Sequence, residues 1–210
     1  IRAMMNKRSW ADRKMEKYDK SSHYTDKPLE SMTDRDWRIF REDHEIVTKG
    51  NMRHPGTGKR ILPFRFWDES GLPANVLSSI RKAGYERPTG VQMQCIPLGL
   101  ACKDVVGIAK TGSGKTCAFV MPMLVYILKQ PPITRETAGD GPLALIMAPT
   151  RELVQQIEDE TRKFASELKI RVYSVVGGLS IEEQSFIQAQ GVEVMVATPG
   201  RHNDALDRRY

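Results

Sequence analysis

At 210 residues, with 40% hydrophobic and 28% charged side chains, the chain has a globular composition and room for one large domain, or one domain and an extension. Its longest apolar run, residues 118–128, is interrupted by Pro122 and falls short of the ~20 residues that cross a bilayer, and no signal-peptide pattern opens the chain, so no membrane partner is expected. Three cysteines, Cys95, Cys102 and Cys117, form no CxxC pair and no Cys/His ligand set; their apolar surroundings mark them as small reduced core residues of an intracellular protein. The net charge of +6 is uneven: residues 1–60 carry 15 Lys/Arg against 10 Asp/Glu, and residues 61–210 carry 17 against 16. A basic front and a nearly neutral remainder point to an anionic partner for the front, nucleic acid or an acidic protein.

Residues 1–30 are charged and poorly patterned, with Lys7-Arg8, Arg13-Lys14, Lys17 and Lys20 ahead of Ser21-Ser22, and read as a basic helix or a disordered arm. The chain opens on Ile1 rather than Met and reads as cut from something longer. Thr33 is placed to cap a short helix, with Asp36 in the capping-box position and acids in the first turn. Trp37 and Phe40 then share a face at i, i+3 and dock elsewhere. Residues 48–64 carry Gly50, Pro55-Gly56, Gly58 and Pro63 among Lys49, Arg53, Lys59 and Arg60 and read as a linker. We divide the chain into a basic extension and linker, 1–60, and a folded domain, 61–210.

Residues 72–83 predict a helix with Val76, Leu77 and Ile80 inward and Gly84 as its stop. Thr89 caps a second helix through Gln92, Ile96 and Leu100. The apolar run 105–108 predicts a strand, and the stretch that follows it is Ala109-Lys110-Thr111-Gly112-Ser113-Gly114-Lys115-Thr116. A periodic apolar segment, 117–128, predicts the next helix. Strand, glycine-rich loop and helix in that order make an anion cradle: glycines let phosphate oxygens approach the main chain, and the helix points its positive end there. Lys115 can reach β- and γ-phosphates and the Thr116 hydroxyl can sit on Mg²⁺. Residues 131–142 read as an exposed loop. The run 143–148 predicts a strand buried on both faces. Pro149-Thr150-Arg151 then leads a helix over about 152–168. A strand at 170–176, a Gly177-Gly178 turn, a helix from Ser180 to about 190 and a strand at 192–197 follow. Thr198-Pro199-Gly200-Arg201 opens the last helical stretch. The acidic clusters Glu158-Asp159-Glu160 and Glu182-Glu183 read as solvated helix faces.

This alternation predicts an α/β fold: a parallel sheet flanked by helices on both faces, with right-handed crossovers. Ligands gather at the carboxyl ends of such strands, so the phosphate loop, Pro149-Thr150-Arg151, Gly177-Gly178 and Thr198-Pro199-Gly200-Arg201 are expected on one edge.

The series of motifs resembles the first RecA-like domain of DEAD-box RNA helicases, from about Trp67 to Arg201. Gly84-Tyr85-Glu86-Arg87-Pro88-Thr89-Gly90-Val91-Gln92 is similar to the family's adenine-reading motif, and Trp67 stands at the family's spacing for the upstream aromatic. The resemblance implies a RecA-like P-loop NTPase domain that binds ATP and Mg²⁺. It implies a nucleotide set of Trp67, Tyr85, Arg87, Gln92, Ala109, Thr111, Gly112, Ser113, Gly114, Lys115 and Thr116. Trp67 would stack on adenine, Lys115 and Thr116 would serve catalysis, and Thr116 would hold the metal. Gln92 would make two hydrogen bonds to the base; a carboxamide offers one donor and one acceptor, which matches adenine N6/N7 and not guanine. Pro149, Thr150, Arg151, Gly177, Gly178, Thr198, Pro199, Gly200 and Arg201 are the implied contacts to RNA phosphates, which position a strand without reading its bases. Gly90, Val91 and His202 replace the family's usual proline, isoleucine and leucine.

Residues 32–43 are similar to the segment before the core in the family's spliceosomal, U5 snRNP-associated members. That implies a nuclear protein acting in pre-mRNA splicing beside snRNP proteins, where U1 snRNA leaves the 5′ splice site. The family's Asp-Glu-Ala-Asp motif and its second domain do not occur within the 210 residues, so this chain alone is expected to bind nucleotide and touch RNA weakly without hydrolysing ATP. Two other classes fit parts of the pattern. A non-catalytic RecA-like scaffold would also lack the later motifs. A P-loop kinase or transporter ATPase would share the phosphate loop but not Gln92, Trp67 and the RNA-side motifs.

Overall fold

The computed structural model describes residues 23–134, 136–176 and 191–207. The chain forms two compact units that meet at Lys49 and Gly50. The described part of the first unit is built on helix α1, Asp34–Asp43, which Thr33 and Asp36 close with a full capping box. Trp37 and Phe40 are buried and cross edge to face at 5.6 Å, and Tyr24 meets Phe40 the same way at 5.4 Å. Lys27 is buried against Asp36 at 2.9 Å, and the Tyr24 hydroxyl donates to Asp43 Oδ2 at 2.8 Å. Burial raises the Asp36 pKa, but the Lys27 ammonium and the Thr33 N–H and hydroxyl outweigh it and bring it down to about 2. The basic residues 1–22 lie outside the described residues.

In the second unit Met52 and Ile61 pack on Leu98 and Ala101, so the segment after Gly50 is held by the domain that follows. Helix α2, Ala74–Lys82, buries Val76 and Ile80 completely and stops at Gly84, whose φ of +82° is a left-handed turn that glycine adopts without strain. Helix α3, Gly90–Leu100, and helix α4, Lys115–Ile127, both carry helix breakers in their interiors. Their packing explains this. A Cβ on Gly99 of α3 would lie 2.6 and 2.7 Å from ring carbons of Pro122 in α4, so each breaker makes room for the other. Gly99→Ala should therefore destabilise the domain by up to about 2 kcal/mol, because overpacking against a rigid ring costs about 1–3 kcal/mol and helix propensity returns only ~1 kcal/mol. Urea unfolding measures this, and a variant more stable than the parent would refute the contact.

The sheet has three parallel strands: β1, Ala144–Met147; β2, Val172–Val175; and β3, Val194–Ala197. Their order is β1-β3-β2. Register pairs Met147 with Ala197 and Val175 with Ala197, so all three strands end level. β3 is buried on both faces: Val194 and Val196 join the main core, and Met195 and Ala197 join Val175 and Tyr173 on the other side. The main core gathers Val76, Ile80, Ile96, Val120, Met121, Leu124, Val154 and Phe164 from the helices. Each such side chain contributes about 1.5–3 kcal/mol by burial. Helix α5, Arg151–Ala165, is capped by Thr150, whose hydroxyl accepts from Leu153 N at 3.3 Å, and α6 runs Pro199–Asp207.

Three expectations change. Residues 105–108 enter no strand, since they find no partner strand among the described residues; Val106 and Ile108 are 90% and 94% exposed. β1 is not buried on both faces: it is an outer strand that exposes Leu145 and Met147. Cys117 is buried, but Cys102 is exposed at the turn after α3, with φ of +55°. The Gly177-Gly178 turn, the helix from Ser180 and Glu182-Glu183 lie outside the described residues. Among the described residues no helix is long and apolar enough to cross a membrane.

Candidate functional site

The loop before α4 turns on Gly112 and Gly114, with φ of +77° and +82°. A Cβ on Gly114 would meet Gln92 Nε2 at 2.4 Å, so this position requires glycine twice over, for conformation and for space. Lys115 folds back on the loop: its ammonium donates to the carbonyls of Ala109 at 2.5 Å and Lys110 at 2.7 Å. Ser113 Oγ is buried without a hydrogen-bond partner.

α3 starts against this loop. Thr89 Oγ donates to the Ser113 carbonyl at 2.7 Å, and Gln92 Nε2 donates to the Gly114 carbonyl at 3.2 Å. Gln92 Oε1 accepts the Thr89 N–H at 2.9 Å, and the side chain is fully buried. Both ends of the carboxamide are thus engaged inside the protein, each keeping one further hydrogen-bonding position.

Next to Thr89, a cavity of about 500 Å³ is lined by Phe66, Trp67, Asp68, Arg81, Gly84, Tyr85, Glu86 and Pro88. Trp67 lies almost wholly in the core, against Phe64 at 5.7 Å, and its indole N–H has no partner. Phe66 is the exposed aromatic of this wall, 44% accessible. The segment is clasped by buried Arg65, whose guanidinium and backbone N–H both donate to the Glu69 carboxylate and whose guanidinium lies 5.6 Å from the Phe66 ring. Burial raises the Glu69 carboxyl, but Arg65 outweighs it and the pKa falls below the usual range. Opposite, the Tyr85 hydroxyl donates to Glu160 of α5 and its ring tilts on Phe164 at 5.4 Å. Burial, then the Glu160 carboxylate, push the Tyr85 phenol well above its usual value. Arg87 is exposed and Gln92 buried, and neither belongs to the lining.

The other motifs follow the strands. Pro149 and Thr150 come after β1, Arg151 opens α5, and all three are exposed; Thr198, Pro199 and Gly200 come after β3. Because β1 and β3 end in register and Ala148 N donates to Ala197 O at 3.0 Å, both loops leave one edge of the sheet. Arg201 lies 3.9 Å from Asp204. Gly177 and Gly178 are outside the described residues.

The loop fits a polyphosphate: a buried hydroxyl lacks a partner, glycine holds the one position a Cβ would fill, and Lys115 is carried on main-chain carbonyls that phosphate oxygens can replace. Among the described residues no group of three or more His, Cys, Asp or Glu could hold a metal ion; Thr116, the metal ligand that the resemblance implies, is half-buried in the first turn of α4. Sequence reasoning missed Phe66, the Arg65–Glu69 clasp and Glu160. The clasp had a signal, an Arg/Glu pair four residues apart around the aromatic. Glu160 had none, because its partner is 75 residues away.

A parallel α/β core, a glycine-turned loop closed by its own lysine and an aromatic cavity just before the helix that is hydrogen-bonded to that loop define a P-loop nucleotide-binding domain. The DEAD/DEAH box helicase family model matches residues 89–210, more than half of the chain, and the chain belongs to that family. It is 57% identical over 189 residues to the ATP-dependent RNA helicase ddx23 of Dictyostelium discoideum, covering 90% of this chain and 22% of that protein. It is 51% identical over 187 residues to the pre-mRNA-splicing ATP-dependent RNA helicase prp-28 of Neurospora crassa, covering 89% and 25%. Among solved structures, the RNA helicase Prp28 of Chaetomium thermophilum bound to ADP superposes with a TM-score of 0.75 at 50% identity, covering 89% of this chain and 43% of that one. The chain spans about a quarter of the length of the curated relatives it matches.

Proposed function

We propose that the chain is the nucleotide-binding part of an ATP-driven RNA helicase that acts in pre-mRNA splicing. Trp67 and Tyr85 wall the base cavity, with Phe66 as its exposed face. Ala109 to Gly114 form the phosphate cradle, and Lys115 exchanges the Ala109 and Lys110 carbonyls for phosphate oxygens. Thr116 would be the protein ligand for Mg²⁺, which would supply charge neutralisation at the phosphates. Thr150, Arg151, Thr198 and Arg201, with Gly177 and Gly178, hold RNA phosphates irrespective of sequence. In the parent protein these contacts serve local strand separation, at the step where U1 snRNA leaves the 5′ splice site, in the nucleus and beside snRNP proteins.

This reading rests on one observation above others. Thr89 and Gln92, the end of the base-reading motif, are hydrogen-bonded to Ser113 and Gly114 of the phosphate loop. Base and phosphates of one nucleotide can therefore be met by one continuous surface. The names of the relatives carry the splicing assignment. The test is nucleotide preference. Fluorescent ADP should bind at least about tenfold tighter than the matching GDP: the resemblance implies that the Gln92 carboxamide turns from Gly114 and Thr89 to the base, and guanine O6/N7 are two acceptors where adenine N6/N7 are a donor and an acceptor. Equal binding of the two would overturn the reading.

A further inference from the structure

Glu160 was expected on a solvated helix face. Its carboxylate is instead four-fifths covered and sits where three elements meet. One oxygen accepts the Tyr85 hydroxyl from the cavity wall, and the other accepts Lys163 Nζ at 2.6 Å from the next turn of α5. Beside it is the buried Cys117 of α4, three residues past Gly114, whose thiol is pushed up to about 12 by burial and then by the Glu160 charge. Burial raises the Glu160 carboxyl, but Lys163 and Tyr85 outweigh it, so it stays ionised at neutral pH. The Tyr85 ring is held as well, tilted on the fully buried Phe164. Tyr85 therefore has one fixed pose, set from α5 rather than from its own segment, 84–89.

We propose that Glu160 is a positioning residue for the nucleotide site: through the Tyr85 hydroxyl it fixes one wall of the base cavity to α5, the helix that begins at Thr150 and Arg151. The inference rests on the reading of this cavity as the base site. Its chemistry is specific. A carboxylate accepts the phenol proton without competing for a donor, whereas a carboxamide at 160 gives a weaker, neutral hydrogen bond and releases Lys163. Without the tie, the wall must be ordered when the base arrives, and that ordering is taken from the binding free energy.

The test is a double-mutant cycle on the 210-residue chain. Tyr85→Phe keeps the ring on Phe164 and removes only the hydroxyl; Glu160→Gln keeps the shape of its partner. Each should weaken ADP binding about three- to tenfold, and the double variant should be no weaker than the worse single variant. Hydrogen exchange of residues 84–89 without nucleotide should quicken in all three variants, a readout that needs no ligand. Unchanged exchange with unchanged affinity would overturn the proposal, and so would additive losses in the double variant. If the parent chain binds no ADP, the functional reading fails by itself; faster exchange in the variants would still uphold the tie and unchanged exchange would still refute it.

Discussion

Lys115→Ala should lower the affinity of this chain for ADP about thirtyfold while leaving its unfolding midpoint almost unchanged. The ammonium ties the loop to its own backbone, at 2.5 Å to Ala109 and 2.7 Å to Lys110. Hydrogen bonds to a charged group contribute about 1.5–3 kcal/mol, or roughly 10–150-fold in affinity. The upper end is out of reach because the ammonium is already solvated by two carbonyls, and phosphate oxygens add only the difference. Stability should hold because Lys115 is partly exposed, so water can hydrate the two carbonyls that the ammonium leaves. Calorimetric titration with ADP checks the first part and thermal unfolding the second. A loss below threefold would mean that the lysine stays on its carbonyls when nucleotide binds.

The second large effect is structural. Phe164 is fully buried in the main core, on the face of α5 that also carries Val154, Ile157 and Thr161. Phe164→Ala should cost about 3–5 kcal/mol from lost transfer energy and the cavity left behind. For a chain of this size that is a fall of about 6–20 °C in Tm. Nucleotide affinity should fall too, because the Tyr85 ring rests on Phe164. Phe164→Leu, which refills most of the volume, should recover more than half of the stability. A Phe164→Ala chain that melts within about 2 °C of the parent would contradict the placement of α5.

Much of this was legible in the sequence, and the reasons are local. Thr33 and Asp36, Thr89 and Gln92, and the glycines at 84, 112 and 114 declare caps and left-handed turns through bonds that span a few residues. Val76, Leu77 and Ile80 at helical spacing declared the inner face of α2. What was illegible depends on distant partners. An apolar run at 105–108 has every property of a strand except a neighbour to pair with, and no pattern in four residues reports that. Trp67 was read as a stacking platform, yet most of its surface serves the core, and the accessible ring beside it is Phe66. Gln92 shows the same effect at one atom. Its donor and acceptor suit adenine, but they are already taken up by Gly114 and Thr89.

The outer side of β1 has a practical consequence. Its backbone faces away from β3 with no further strand of the described sheet beside it, and Leu145 and Met147 stand accessible on it. Such a border is a template for any extended peptide, including one from another molecule of the same kind. Concentrated solutions of this polypeptide should cloud on warming well before the core melts, and a lysine at position 145 should keep them clear.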